Sequence, residues 1–291
     1  MTSLESFPGT AWPPPLDAAA QARAVEALEA GRILCFPRLR FAIEPAERRF
    51  LADGWSGAAK NISYERTRQS LSGTRAVGAD AAGLAGLMSR YAQVSQGLIE
   101  AVIPPYRGQL EPARTSFRPI EIAGRPTSTR HDDTRLHIDA FPSRPTGGRR
   151  ILRVFSNIDP DGQARLWRVG APFASVARQF YPRLPKPWPG SALAPAALGL
   201  TKGRRRNYDH YMLGLHDAMK RDAAYQQVGV VEEIAFPAGA SWIVFTDQLA
   251  HAAIAGRHAL EQTFHLDPAK MKHPERSPLR VLEGLAGRRL V

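Results

Sequence analysis

His137-Ile138-Asp139, taken with His251 far downstream, is the group of side chains in this sequence best suited to hold a reactive metal. Residues two apart on a strand point to the same face, so the His137 imidazole and the Asp139 carboxylate can converge on one point. A second imidazole, His251, would complete a facial triad. Two histidines and one carboxylate on one side of an octahedral ferrous ion leave the opposite positions open for a keto acid and dioxygen. The chemistry to expect from such a set is an iron-dependent oxidation.

Spacing alone does not establish the set, because His-x-Asp occurs three times: His131/Asp133, His137/Asp139 and His265/Asp267. His131-Asp132-Asp133-Thr134 has the composition of a turn, in which Asp side chains bond the nearby backbone. His265-Leu266-Asp267-Pro268 ends at a proline that cannot donate to a sheet ladder. Only Leu136-His137-Ile138-Asp139-Ala140-Phe141 alternates apolar and polar residues with period two, which predicts a half-buried strand carrying both polar side chains on one face. His251 follows Thr246-Asp247-Gln248, just past an expected strand ending at Phe245. Taken alone it reads as a turn or core histidine as readily as a ligand.

The elements that must position these groups change character along the chain. Residues 16–30 read as a helix opened by Asp17 and stopped by Gly31, and Arg32–Pro37 as a buried strand. Pro45–Ala52 reads as a second helix. A third covers about 83–103, with apolar residues at Leu84, Leu87, Tyr91, Val94 and Leu98 and a stop at Pro104-Pro105. From about 113 onward short β-like runs predominate: Ser116–Ile122, Leu136–Phe141, Arg150–Asn157, Val228–Phe236, Ser241–Phe245 and His258–Leu266. Many short strands predict a sandwich or jelly roll. The expected organisation is α+β, with a mainly helical region, 1–112, packed on a core, 113–291, in one integrated domain. Within the core, 160–227 reads as a partly helical, site-shaping insertion.

An oxygenase of this type also needs a group to hold the distal carboxylate of its keto acid, and the strands offer Arg153, Asn157, Arg257, Gln262 and Thr263. Arg153 comes first because it interrupts the apolar run Ile151–Phe155, where an unpaired charge is costly to bury. A plain ion pair with Asp159 or Glu261 would explain it equally well.

With 291 residues, 44% of them hydrophobic, the chain can bury a proper core. Its one cysteine, Cys35, excludes an internal disulfide and a cysteine-rich zinc site, and no apolar run is long enough to span a bilayer. A cytoplasmic protein is expected. The net charge of +12 calls for a polyanionic partner. Nucleic acid, an anionic membrane surface and an acidic small molecule all fit that requirement.

Four segments carry a family resemblance: Leu136–Pro145, Arg149–Ile158, Arg205–Met212, and Trp242–Gln248 with His251. Together they resemble the Kdo hydroxylases over about residues 30–268. The resemblance implies a double-stranded β-helix, or cupin-like jelly roll, and dependence on Fe(II), 2-oxoglutarate and dioxygen, with ascorbate as an accessory reductant. It implies hydroxylation at position 3 of the sugar acid Kdo in Kdo-lipid A, giving Ko, with His137, Asp139 and His251 as iron ligands. Which residue anchors 2-oxoglutarate stays open. Kdo carries a carboxylate and lipid A carries phosphates, so Arg144, Arg149, Arg204, Arg205 and Arg206 are candidate anion contacts, and Tyr208, His210 and Tyr211 candidate sugar contacts. Solvated loops and core packing explain the same residues. The substrate further implies peripheral attachment to the cytoplasmic face of the inner membrane, with no nucleic-acid partner. Three rivals remain: a same-fold dioxygenase with another substrate, a nucleic-acid-binding module built on Arg204–Arg206 with Trp188, Tyr208 and Tyr211, and a non-catalytic jelly roll.

Overall fold

In the computed structural model, which describes residues 2–57, 59–125, 127–187 and 205–291, the first helix, α1 (Ala18–Glu29), is capped by Asp17, whose side chain accepts from the Ala20 amide at 2.7 Å. Gly31, at φ +85°, turns the chain into β2 (Ile33–Phe36), which follows a short β1 (Leu4–Ser6). Helix α2 (Gly78–Val102) buries Leu84, Leu87, Tyr91 and Leu98, the expected stripe, and ends before Pro104.

Period-two side-chain alternation sorts the core into two layers. In β6 (Arg150–Asn157), β9 (Ser241–Phe245) and β11 (Ala259–Leu266), the residues Leu152, Val154, Ile243, Phe245, Leu260 and Phe264 face α1 and α2. From the same strands Phe155, Trp242 and Val244 point the other way, onto Trp167, Val169, Ile234 and Phe236 of a second sheet. The first sheet has eight strands in the order β1-β2-β9-β6-β11-β5-β3-β4, where β3 is Ile62–Glu65, β4 Ser70–Ser72 and β5 Glu111–Arg118. The second runs β10-β7-β8, with β7 Arg165–Pro172, β8 Val230–Phe236 and β10 Leu249–Ala255. Two facing sheets with helices on one outer face form the expected α+β jelly roll.

Several expectations need correction. Leu136–Phe141 is not a strand; it makes one antiparallel bridge, His137 with His251, on the free edge of β10. His251 therefore lies inside a strand rather than beyond one. The stretch 160–227 is not all insertion, because β7 is a central strand of the second sheet. After it come α3 (Phe173–Phe180), α4 (Asn207–Arg221) and α5 (Ala223–Val228). Pro45–Leu51 is a 3-10 helix, and the strand expected at Ser116–Ile122 is β5, which ends at Arg118. The region expected to be mainly helical up to 112 also supplies β1 to β4 to the first sheet. A last helix, α6 (Pro278–Ala286), is capped by Ser277. Trp188 and Arg204 lie outside the described residues.

The turn between β9 and β10 is held by a buried ion pair. Arg150 Nε is 2.8 Å from Asp247 Oδ2, Arg150 Nη2 donates to Gln248 Oε1 at 2.7 Å, and the guanidinium lies over the Phe245 ring. Both side chains are sealed, at 0% and 1% exposure. Asp247→Ala leaves an uncompensated buried charge, and is expected to cost about 3–5 kcal/mol in a denaturant-unfolding measurement. A loss under about 1 kcal/mol would contradict this account.

Candidate metal centre and co-substrate recess

The main chain brings the three candidate ligands together. His137 N donates to His251 O at 3.0 Å and His251 N to His137 O at 2.8 Å, while Asp139 N donates to Thr246 O at 2.8 Å. Two of these bonds hook the segment carrying His137 onto β10, and the third fastens Asp139 to the turn that Arg150 and Asp247 secure. One ligand atom from each of His137, Asp139 and His251 then lies within 4.8 Å of the others.

Ring orientation suits a cation. His137 Nδ1 lies 2.7 Å from Arg135 O and His251 Nδ1 lies 2.8 Å from Leu249 O. A carbonyl only accepts, so both Nδ1 atoms carry the proton and both Nε2 lone pairs are free to ligate. His251 also stacks on Trp167, with centroids 5.0 Å apart and planes at 24°. Burial, reinforced by neighbouring positive charge, holds the His137 imidazole well below its ordinary 6.5, and burial lowers His251 as well. Both rings are thus neutral ligands at pH 7. Burial opposes ionisation of Asp139, but its neighbours together, the Arg153 guanidinium first among them, keep the carboxyl below its usual range. Two neutral imidazoles and a carboxylate form a borderline donor set that fits ferrous iron.

A recess beside these three groups lies between the sheets, lined by Phe155, Trp167 and Ala253 and by the charged Arg118, Asp133, Arg153 and Arg165. Asp133 is occupied: Lys60 Nζ lies 2.7 Å from it, Arg125 3.4 Å and Arg118 3.8 Å. Arg165 differs. It is 1% exposed, donates only to Gly256 O at 3.2 Å, and leaves its Nε without a partner. Among the described residues it forms no ion pair. Burial, with repulsion from Arg118, lowers its pKa from 12.5 to about 9, so the cation persists at neutral pH without a counter-ion.

The comparisons with known proteins agree with this geometry. A family model described as 3-deoxy-D-manno-oct-2-ulosonic acid (Kdo) hydroxylase matches residues 12–289. This chain belongs to the Kdo hydroxylase family. It is similar to the solved structure of the Kdo hydroxylase KdoO, a non-heme Fe(II) alphaketoglutarate-dependent dioxygenase, in complex with cobalt(II). The identity is 47%, the TM-score 0.97, and the match covers 100% of this chain and 98% of the other. The same enzyme with alphaketoglutarate and Fe(III) gives 46% identity and TM-score 0.95, covering 99% and 97%. Among curated proteins none matches the chain.

For this Kdo hydroxylase family member, the other residues singled out in the sequence fall in several places. Arg153 points at the candidate ligands but is engaged there, 3.1 Å from Asp139 Oδ2 and 3.2 Å from Glu261 Oε1. Asn157 spends its amide on Gln163 O and Phe236 O, and lines a separate cleft of about 680 Å³. Arg257 pairs with Asp53 in the β10–β11 connection. Gln262 faces the helical side and accepts from Thr115, while Thr263 donates to Glu261. None of these last four borders the recess. Arg144 pairs with Glu65 and Arg149 with Glu111, and Arg205 donates to Pro142 O in the loop after Asp139. At the start of α4 the Arg206 amide donates to Asp209. Tyr208 and Tyr211 are enclosed in the core, and His210 contacts Pro185 O. Sequence reasoning missed Arg165, Arg118 and Trp167, and it dismissed Asp133, which proves to border the recess.

Proposed function

We propose that this protein is a ferrous iron and 2-oxoglutarate-dependent dioxygenase that hydroxylates Kdo, at position 3 of the sugar in Kdo-lipid A. The observation that carries the reading is the pairing of two Nε2-presenting imidazoles and a carboxylate with a buried, unpaired arginine along one recess. His137, Asp139 and His251 would hold the iron. Arg165 would neutralise the distal carboxylate of 2-oxoglutarate, whose other end must reach the metal. With dioxygen, the bound iron and keto acid supply the oxidising equivalents that turn a C–H bond into C–OH while 2-oxoglutarate becomes succinate and carbon dioxide. The chain itself supplies position and dryness. Phe155 and Trp167 wall the recess from bulk water, Trp167 fixes the His251 ring, and Asp139 is the one carboxylate of the converging set among the described residues. No protein acid or base is required by that reaction, and none is offered among the groups lining the recess beyond the charged pairs already satisfied.

The test is incubation with Fe(II), 2-oxoglutarate, oxygen and Kdo-lipid A, with ascorbate present. One oxygen atom gained per sugar and one succinate released per turnover are expected. Succinate release without a change in Kdo-lipid A would move the reading to another substrate.

The same reading extends to where the enzyme works. No helix among the described residues is long and apolar enough to cross a membrane. A glycolipid substrate and a net charge of +12 favour reversible attachment to an anionic surface on the cytoplasmic side of the inner membrane. Arg205 and Arg206 at the start of α4, beside the loop following Asp139, are the cations best placed to meet the substrate's acidic groups. Cosedimentation with vesicles containing an acidic phospholipid at low salt, lost at high salt, is the expected result. Equal partition with neutral vesicles would sink it.

A further inference from the structure

Trp167 puts an electron-rich ring directly beside the candidate metal ligands. In the β7–β10 ladder Trp167 stands opposite Ala253, and His251 lies two residues from Ala253 on the same face, so the two rings are diagonal neighbours. Their centroids are 5.0 Å apart with planes at 24°. The indole borders the same recess as His137, Asp139 and His251.

Packing alone is a poor account of this residue type. Trp167 is 2% exposed and its Nε1 donor has no hydrogen-bond partner. A phenylalanine would fill most of the same space without burying an unmatched donor. Trp242 carries the same unmatched donor, but it stands one ring deeper, 5.7 Å from Trp167, and does not border the recess. The other side chains of the recess are harder to oxidise: Phe155 is a plain benzene ring, Ala253 offers only a methyl group, and the rest are arginines, carboxylates and the candidate imidazole ligands. Among the described residues no sulfur borders it; Met212 meets Asp139 in a separate small pocket.

A site loaded with iron, keto acid and dioxygen but no sugar has no substrate C–H bond to oxidise. We infer that Trp167 is then hydroxylated by its own enzyme, a modification that draws the oxidation away from the histidine ligands. The inference rests on the proposed dioxygenase reading, with the indole in place of the sugar. 2-Oxoglutarate loses carbon dioxide and becomes succinate, taking one oxygen atom of dioxygen, and the other atom is inserted into a ring C–H bond of Trp167 to give C–OH. Two of the four electrons that dioxygen accepts come from the decarboxylation and two from the C–H bond. The iron ends ferrous, and no other reductant is consumed.

The test incubates the whole protein with Fe(II), 2-oxoglutarate and isotopically heavy dioxygen, without Kdo-lipid A and with catalase present, and locates the label by peptide mass spectrometry. The peptide containing Trp167 is expected to gain one heavy oxygen atom. The gain should vanish without 2-oxoglutarate and shrink when Kdo-lipid A competes for the oxidant. Trp167→Phe, which keeps a ring on His251, should lose it. A second readout needs no turnover: cobalt(II) bound to the apo-protein should quench tryptophan fluorescence, and Trp167→Phe should lose the larger part of that quench. The wild-type map decides the matter even where the variant fails to fold.

Label on Trp242, Phe155 or Met212 instead of Trp167, or succinate released with no label in the chain, would overturn the inference. Label that appears only when catalase is omitted would trace the oxidation to released peroxide and overturn it too. Succinate formed with Kdo-lipid A but none without it would leave the dioxygenase reading standing and remove this inference alone. If no succinate forms in either case and cobalt leaves the fluorescence unchanged, the failure belongs to the dioxygenase reading, and the inference falls with it.

Discussion

His251→Ala is expected to lose stoichiometric metal and bring turnover to background while the protein still folds. The backbone of residue 251, not its side chain, makes the two hydrogen bonds that hook His137 onto β10, so alanine keeps the bridge. What disappears is one of three donor atoms and the stack on Trp167. Loss of the ring contact and the cavity it leaves should cost about 1–3 kcal/mol, small beside the removal of a ligand. His216, whose ring centroid lies 5.4 Å from that of His137, provides the control. Its Nδ1 sits 2.8 Å from Asp217 on the same helix, and it is not part of the converging set. His216→Ala should therefore keep its metal. Metal content by elemental analysis, read beside succinate production, checks both variants. A His251→Ala protein with full iron and full turnover would mean that the ligand set is wrong.

The residues that could be read from the sequence are those whose local pattern matches their environment. In β6 and β9 apolar residues face both layers, so each appears as an apolar run, broken in β6 by Arg153, and the structure ends them where the sequence does. The His137 and Asp139 spacing stood out because it lies in a period-two alternation of apolar and polar residues. Yet the strand inferred there is a single bridge: Asp139 N turns to Thr246 O instead of continuing a ladder, and Pro142 follows. In β7 the pattern misleads, since Arg165 is buried on the face of Trp167 and Val169 while Leu166 is 37% exposed. A strand that puts its arginine inside and its leucine outside looks like a loop. In β10, Leu-Ala-His-Ala-Ala-Ile-Ala offers too few β-branched residues to announce a strand. Asp132 does form the expected turn, accepting from Thr134 N at 2.9 Å, and that turn is what swings Asp133 toward the recess. The chain Asp139–Arg153–Glu261–Arg118 joins residues over a hundred positions apart. No local rule reaches that far.

Replacing Arg165 with methionine is expected to move two measurements in opposite directions. The side chain is sealed between the sheets, charged, and without a carboxylate partner among the described residues. Such an arrangement is costly for the free protein, because a buried charge must give up its hydration. Methionine fills a similar length without that penalty, so the apo-protein should unfold at a higher temperature than wild type. The 2-oxoglutarate-bound state should suffer. There the distal carboxylate would meet the guanidinium, and truncating one partner of a buried charge pair costs about 2–5 kcal/mol, which corresponds to a rise in KM for 2-oxoglutarate of about 30-fold or more. The rate at saturating co-substrate should fall less, since Arg165 is not one of the candidate ligands. Arg118→Met separates this from a general effect of removing positive charge. Arg118 is tied to Glu261 and lies 3.8 Å from Asp133, so its loss takes one cation from two buried carboxylates, leaving Glu261 to Arg153 and Asp133 to Lys60 and Arg125, and should lower the unfolding temperature. A stabilised enzyme with a selectively raised KM is the signature of a charge kept for its ligand; an Arg165→Met protein that is less stable and has an unchanged KM would make Arg165 a structural residue and return the search for the anchor to the other arginines of the recess.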